Sequence, residues 1–388
     1  MLDCPGAAGP APDGFFPTMD RSAPSRLKHE RHASGARGAL SPREREILRR
    51  VVQRFIETAA PVGSKALADE GDLALSSASI RSAMSGLEAQ GYLDHPHTSA
   101  GRVPTARGYR AYVDELMDVT GLTPGEARLL REGVERRLGD LDALARETSR
   151  LLGRLTRLLG VVLSPRLSTG TLERLDIVPL SSTRVMVVIA VRGGLARTVI
   201  AELDGEVPVR ALDAVVQRLN ERLAGLTLEE IRRTGAERIE DLGAEDRTGV
   251  VRLVLRDAAV LFSEDEEGRR AAVGGAQHLV GQPEFQAPEE VQHVVELIEN
   301  EEVVVHLLER PAPLDPAHPE RAVVLIGGEL DGGPDGGTGS PYSIVRAHYR
   351  VGGTRGTVGV IGPARMDYAR AVALVEHVAA LLSRASDA

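Results

Sequence analysis

Apolar residues at Ile47, Leu48, Val51, Val52, Phe55 and Ile56 recur at the three-and-four spacing of one helix face. Ser41 can cap the first amides of that helix, and Pro42 suits its first position. Pro61 closes the connection, residues 62–69 form a short second helix, and Gly71-Asp72 is a turn. Ser76 or Ser77 caps a third helix running to Gln90, with Ile80, Ala83, Met84 and Leu87 inward and a left-handed exit at Gly91. The opposite face of this helix carries Ala78, Ser79, Ser82 and Ser85, with Arg81 on its flank. Small hydroxyl side chains let a helix lie deep in a major groove, and an arginine can bond guanine through two donors. A serine-rich face can equally be a solvated one. The next segment, Tyr92-Leu93-Asp94-His95-Pro96-His97-Thr98-Ser99-Ala100-Gly101-Arg102-Val103-Pro104-Thr105, weighs against that bland reading. A buried loop could not satisfy His95, His97, Thr98, Ser99 and Arg102 together, so the loop faces outward. Three helices and a hairpin loop make a winged helix-turn-helix.

Beyond Gly121 the pattern changes. Val134, Leu138, Leu141, Ala145, Thr148, Leu152, Leu155 and Leu159 alternate spacings of four and three, a coiled-coil-type seam on one long helix. The seam packs on the chain's own body or contributes to a dimer contact. Apolar runs of strand character follow at residues 185–191, 196–203, 250–255, 303–308, 322–326, 343–349 and 356–361. Helical patterns lie among them at 212–223, 291–300 and 366–383. Such an irregular mixture predicts a multidomain α+β chain with a twisted sheet. The glycine-rich run 327–339 has no periodicity and is expected to be a mobile loop.

Composition narrows the function classes. The chain has 388 residues, room for two or three domains. It lacks tryptophan, and aromatics make up 3%, which disfavours a base-stacking single-strand binder. Residues 40–118 carry ten basic against eleven acidic side chains, and residues 119–388 carry 32 against 41. A near-neutral unit on an acidic body binds random DNA weakly, so specificity must rest on placed contacts. The single cysteine, Cys4, forms no internal disulfide and points to a reducing, cytoplasmic compartment. No run of about 18 apolar residues marks a membrane span. Residues 1–39 mix Pro, Gly, Ala and Arg without periodicity and read as a disordered extension or a misassigned start.

Candidate chemistry adds little. The glycine pairs at 327–328 and 332–333 lack the Lys-Ser/Thr pair and helix of a phosphate cradle. His95 and His97 have no third metal ligand nearby, and no serine sits in a nucleophile elbow. Neither a catalytic constellation nor a cofactor or metal motif emerges.

Longer motifs go further. Pro61-Val62-Gly63-Ser64-Lys65, Ser79-Ile80-Arg81, Leu87-Glu88, Gly91-Tyr92-Leu93, the run from Pro96 to Thr105, Gly108-Tyr109-Arg110 and Tyr112-Val113-Asp114 resemble HrcA, the bacterial heat-shock repressor family. Gln282-Pro283-Glu284-Phe285, Gly359-Val360-Ile361-Gly362-Pro363 and Arg365-Met366-Asp367-Tyr368 extend the resemblance over about residues 40–384. Two positions depart from the family: Ser82 where it usually has Asn, and Ala59-Ala60 where it usually has Gly-Glu.

The resemblance implies a winged-helix domain at 40–118, a linker helix and GAF-like domain at 119–204 and 289–388, and an inserted dimerisation domain at 205–288. It implies a homodimer that binds the CIRCE inverted repeat upstream of chaperone operons and is kept active by the GroEL chaperonin. Ser77, Ser79, Arg81 and Ser82 of the third helix would meet bases, with His97, Thr98, Ser99 and Arg102 of the wing beside them. Gly101 is expected to bend the wing so that Arg102 projects, and Arg43 and Lys65 would meet phosphate. A regulator whose GAF-like body binds a metabolite is the alternative. An enzyme with an appended DNA-binding unit is a third reading that no motif supports.

Overall fold

The computed structural model describes residues 40–385, apart from 72, 97–100, 120, 138–139, 194, 207–208, 245, 264–270, 312–317, 332–339 and 352. The expected extension 1–39 and the wing residues His97, Thr98 and Ser99 therefore lie outside the described residues.

The chain opens with α1 (Pro42–Thr58), α2 (Ser64–Asp69) and α3 (Ser77–Ala89). Ser41 caps α1 with Pro42 in the first turn, as the sequence predicts, and Glu44 completes a reciprocal capping box with Ser41. Ile47, Leu48, Val51 and Val52 of α1 are buried against Leu67 of α2 and Ile80, Met84 and Leu87 of α3. Gly91 has φ +77°, the left-handed exit expected there. A hairpin follows, β1 (Leu93–Asp94) against β2 (Val103–Pro104), and then α4 (Ala106–Ala111), capped by Thr105 and continued by a π-helical turn, Tyr112–Leu116.

Ala59 ends α1 in the left-handed region, φ 53° and ψ 21°. That conformation costs an L-residue with a Cβ about 1–2 kcal/mol, and glycine is free of it. Ala59→Gly, the residue usual in the family, is therefore expected to raise unfolding free energy by about 1 kcal/mol after the entropy lost to a floppier unfolded chain. A urea melt that shows no gain would contradict it.

The expected long seam is divided. α5 (Pro124–Glu135) stops, and Asp140 caps a new helix, α6 (Leu141–Thr156), by accepting from the Ala143 amide at 2.9 Å. Leu159 begins a strand, β3 (Leu159–Arg166). Val134, Ala145, Thr148 and Leu152 are buried, so the described seam residues of α5 and α6 pack largely into the chain's own core.

A separate module comes next. It comprises β4 (Leu172–Pro179), β5 (Arg184–Val191) and β6 (Leu195–Glu202), an antiparallel sheet in chain order, and α7 (Val209–Leu223), α8 (Leu228–Ile239) and α9 (Val250–Leu261). Alternate residues Leu175, Ile177, Val185, Val187, Ile189 and Val191 turn inward onto Leu219, Leu223, Ile231 and Leu253. The strands thus share their core with α7–α9. The apolar cluster spans 172–262, against the expected insert edges of 205 and 288.

Residues 250–255 are helix and not the expected strand. Their apolar positions continue to Leu261 at helical spacing, and Thr248 and Asp246 accept from the Val250 and Val251 amides at the start.

The chain then returns to β3. β7 (Ala271–Gly274) pairs with β3 directly, Gly160 opposite Gly274 and Leu163 opposite Ala271. α10 (Ala276–Val280), α11 (Pro288–Glu299) and α12 (Glu301–Leu308) lead to β8 (Val323–Ile326), β9 (Tyr342–Val351), β10 (Thr354–Pro363) and α13 (Tyr368–Ala385). The sheet order is β7-β3-β10-β9-β8, antiparallel throughout.

α12 replaces the strand expected at 303–308. Asn300 caps it by accepting from the Val303 amide, and Glu301 and Glu302 sit at the positive end of its dipole. The β-branched run Val303-Val304-Val305 had masked those start signals. Residues 327–331, the front of the expected glycine-rich loop, form a 3-10 turn, and 332–339 lie outside the described residues.

One face of the five-stranded sheet packs on α13, and its core runs without a break through α5 and α6 into the N-terminal helices. The other face packs on α10–α12 around Phe285, Val294, Leu297 and Val304. The chain is a mixed α+β protein, as expected.

Candidate DNA-binding surface

α3 presents Ala78, Arg81, Ser82, Ser85 and Ala89 to solvent. Arg81 and Ser82 stand together on that face, and neither forms a hydrogen bond or ion pair with another described residue. Lys65, the second residue of α2, is exposed and likewise without a partner among the described residues. These three of the ten candidate residues point outward unencumbered.

The first turn of α3 holds itself and its neighbours in place. The Ser76 hydroxyl accepts from the Ser79 amide at 3.2 Å and donates to the Ser79 hydroxyl at 3.0 Å. The hydroxyls of Ser77 and Ser64 lie 3.2 Å apart, joining α3 to α2. Arg43 is exposed, and its Nη2 donates to the Ser79 carbonyl at 3.0 Å, tying the start of α1 to α3. Ser77, Ser79 and Arg43 thus fix the helix that displays Arg81 and Ser82. For Arg43 this internal bond leaves other donors of the guanidinium free for an incoming phosphate.

Arg102 does not project as the sequence reading expected. Its Nη2 lies 2.8 Å from Glu88 Oε2 on α3, and its Nη1 lies 2.7 Å from His95 Nδ1. Its side chain is 18% exposed. The backbone of Arg102 also exchanges two hydrogen bonds with Val62, at 2.8 and 2.9 Å. Gly101 serves that contact: a Cβ there would fall 2.3 Å from the Val62 carbonyl carbon and oxygen. The glycine lets two backbones meet, and the arginine turns inward to brace the hairpin on α3.

One cation on this side escaped the sequence reading. Arg107 is exposed, lies over the Tyr92 ring at 4.4 Å from its centre, and donates to the Gln90 carbonyl at 2.7 Å. Its spacing from Tyr92 is not helical, so only the folded hairpin brings them together.

Among the described residues no group of three or more His, Cys, Asp or Glu is arranged to hold a metal ion. No helix among them is long and apolar enough to cross a membrane. His348 is buried on β9, 3.0 Å from the Thr357 hydroxyl, and burial holds it down to about 4. It is neutral at pH 7 and packed into the sheet. Between α6 and the sheet, lined by Leu144, Val162, Tyr349 and Leu382, a cavity of about 10 Å³ has room for little more than one water.

Residues 142–372 match the family described as the HrcA protein C-terminal domain. A protein from Prosthecochloris aestuarii, named heat-inducible transcription repressor HrcA, is 39% identical over 351 residues, 89% of this chain and 97% of that protein. A namesake from Chlorobium phaeobacteroides is 40% identical with the same coverage. A solved structure described only as a hypothetical protein superimposes with a TM-score of 0.54 at 23% identity, covering 89% of this chain and 98% of the other. That last likeness concerns the fold alone. With relatives near 40% identity over 89% of its length and a family match over residues 142–372, the chain belongs to the HrcA family of heat-inducible transcription repressors.

Proposed function

We propose that the chain is a transcriptional repressor that binds the CIRCE inverted repeat as a homodimer, through a winged helix-turn-helix at its N-terminus. The observation that carries this reading is the outward face of α3. Arg81 and Ser82 are exposed there without a partner among the described residues, while Ser76, Ser77 and Arg43 hold the helix still. A free guanidinium on a rigid helix is the arrangement that reads guanine in the major groove.

The proposed dimer contact is the open face of the module's sheet. Val178, Met186 and Ile200 are paired in register across β4, β5 and β6, forming one apolar row on the side away from α7–α9. Val178 is 41% exposed, Ile200 57% and the neighbouring Leu180 50%. A second copy of the same face would cover this row about a two-fold axis, matching the symmetry of an inverted repeat. The proposed activity also includes support by GroEL: heat supplies competing unfolded clients, the repressor loses its chaperonin, and chaperone genes are released. Pairing β3 with β7 across a whole intervening module is a long-range step of the kind that slows folding, and this supports the chaperonin part of the reading.

Operator binding by purified protein tests the reading. Wild-type protein should sediment as a dimer and prefer the inverted repeat to scrambled DNA, and GroEL should raise the bound fraction. Ile200→Asp should sediment as a monomer. No preference for the repeat removes the operator, a dimeric Ile200→Asp moves the contact elsewhere, and indifference to GroEL removes the chaperonin.

A further inference from the structure

Three stretches far apart in sequence meet at the place where the N-terminal helices join the body. Arg365 lies between β10 and α13. Its Nη1 donates to the Ile56 carbonyl in the last turn of α1 at 2.6 Å. Its Nε donates to Glu284 at 2.6 Å, and its Nη2 to Gln282 at 3.0 Å. The side chain is 11% exposed. One guanidinium therefore ties α1, the turn before α11 and the start of α13.

A second arginine repeats the device on the other side. Arg110 of α4 donates through Nε to Glu329 at 2.9 Å and through Nη2 to the same carboxylate and to the Val324 carbonyl, the latter at 2.8 Å. Glu329 also accepts from the Ile326 amide at 2.9 Å, so the carboxylate is anchored to the end of β8. Tyr109 and Tyr368 pack against each other, with ring centres 5.9 Å apart. The Tyr368 hydroxyl donates to the Ala364 carbonyl at 2.6 Å.

None of these groups lies on the outward face of α3. Yet they reach it mechanically. Arg365 fixes the last turn of α1, and Arg43 at the other end of α1 bonds the first turn of α3. Charge-assisted bonds to backbone carbonyls at partly buried sites have fixed directions, so they set an angle as well as a distance. Apolar contacts alone would leave that angle softer.

We infer that Arg110 and Arg365 are positioning residues for operator recognition, setting the angle at which each N-terminal unit leaves the body. This rests on the dimeric DNA-binding reading above. A dimer gains affinity from its second half-site only if both units arrive in register, because the second contact is then intramolecular. A loosened joint lowers that effective concentration and leaves the contact of one unit with one half-site unchanged.

The test compares two duplexes, the full inverted repeat and a single half-site, using the full-length protein. Arg365→Met removes one tie. Glu329→Gln keeps the volume of the other and weakens its charge-assisted bonds, which guards against simple misfolding. Each variant is expected to lose about tenfold on the full repeat and to stay within about twofold of wild type on the half-site. Equal losses on both duplexes would show that the arginines only maintain the fold of the N-terminal unit, and the inference falls. Unchanged binding to both also overturns it. Wild-type protein that binds neither duplex would overturn the DNA-binding reading itself.

Discussion

Arg81→Ala is expected to weaken binding to the operator by about 1–3 kcal/mol, roughly 5- to 150-fold, and to weaken binding to unrelated DNA far less. The side chain is exposed and has no partner among the described residues, so its removal breaks nothing inside the protein. The melting temperature should therefore stay where it is. The loss arises at the base edge: two donors in a fixed fork match the O6 and N7 acceptors of guanine, and a truncated side chain leaves them unmet. Fluorescence anisotropy with the operator and with a scrambled duplex separates the two roles. Equal losses on both, with a salt slope reduced by about one, would make Arg81 a phosphate contact. Ser82 beside it stands where the family usually has Asn, and its shorter side chain has a single hydroxyl to offer. Ser82→Asn is thus the natural companion substitution in the same assay.

The N-terminal helices were legible because their signals are local. Ser41 and Pro42 announce α1 in adjacent positions, and Ser76 and Gly91 bracket α3. The outward direction of Arg81 followed from helical periodicity alone. The direction of Arg102 did not. Its partner Glu88 lies on α3, across the whole hairpin, and no spacing rule connects the two. Gly101 was read as a bend, whereas its role is to clear the Val62 backbone, a contact with a segment nearly forty residues earlier. The edges of the module are hard to read for a related reason. Strands β4 to β6 carry the same alternation whether they join the main sheet or found their own, and only the packing of Leu175, Val187 and Ile189 on α7–α9 decides. Val-rich segments at 250–255 and 303–308 satisfy helix and strand patterns over so few residues that the caps become the better guide. Arg110, Glu284 and Arg365 were visible as parts of family motifs, but their meeting is purely tertiary.

Gly101→Ala should destabilise the protein by about 3 kcal/mol, near the upper end for a side chain forced into occupied space. The added Cβ would lie 2.3 Å from two atoms of the Val62 carbonyl and 2.8 Å from the Gly63 nitrogen. All three are backbone atoms, so no side chain can swing aside. The hairpin must peel away and lose the paired Val62–Arg102 hydrogen bonds. Arg102 then loses its approach to Glu88 and His95 as well. A residue pair replaced in isolation gives a smaller effect: Arg102→Ala should cost about 1–2 kcal/mol, since it leaves the backbone pairing intact and frees a half-exposed Glu88 to meet water. If the chain unfolds as one unit of this size, Gly101→Ala lowers the melting temperature by about 4 °C and Arg102→Ala by about half that. Both variants should also bind a single half-site more weakly, because the hairpin no longer rests on α3. This distinguishes them from the joint variants at Arg365 and Glu329, which spare the half-site. A Gly101→Ala protein that melts with wild type would mean that the hairpin can shift away from Val62 at little cost, and the order of the two losses would then reverse.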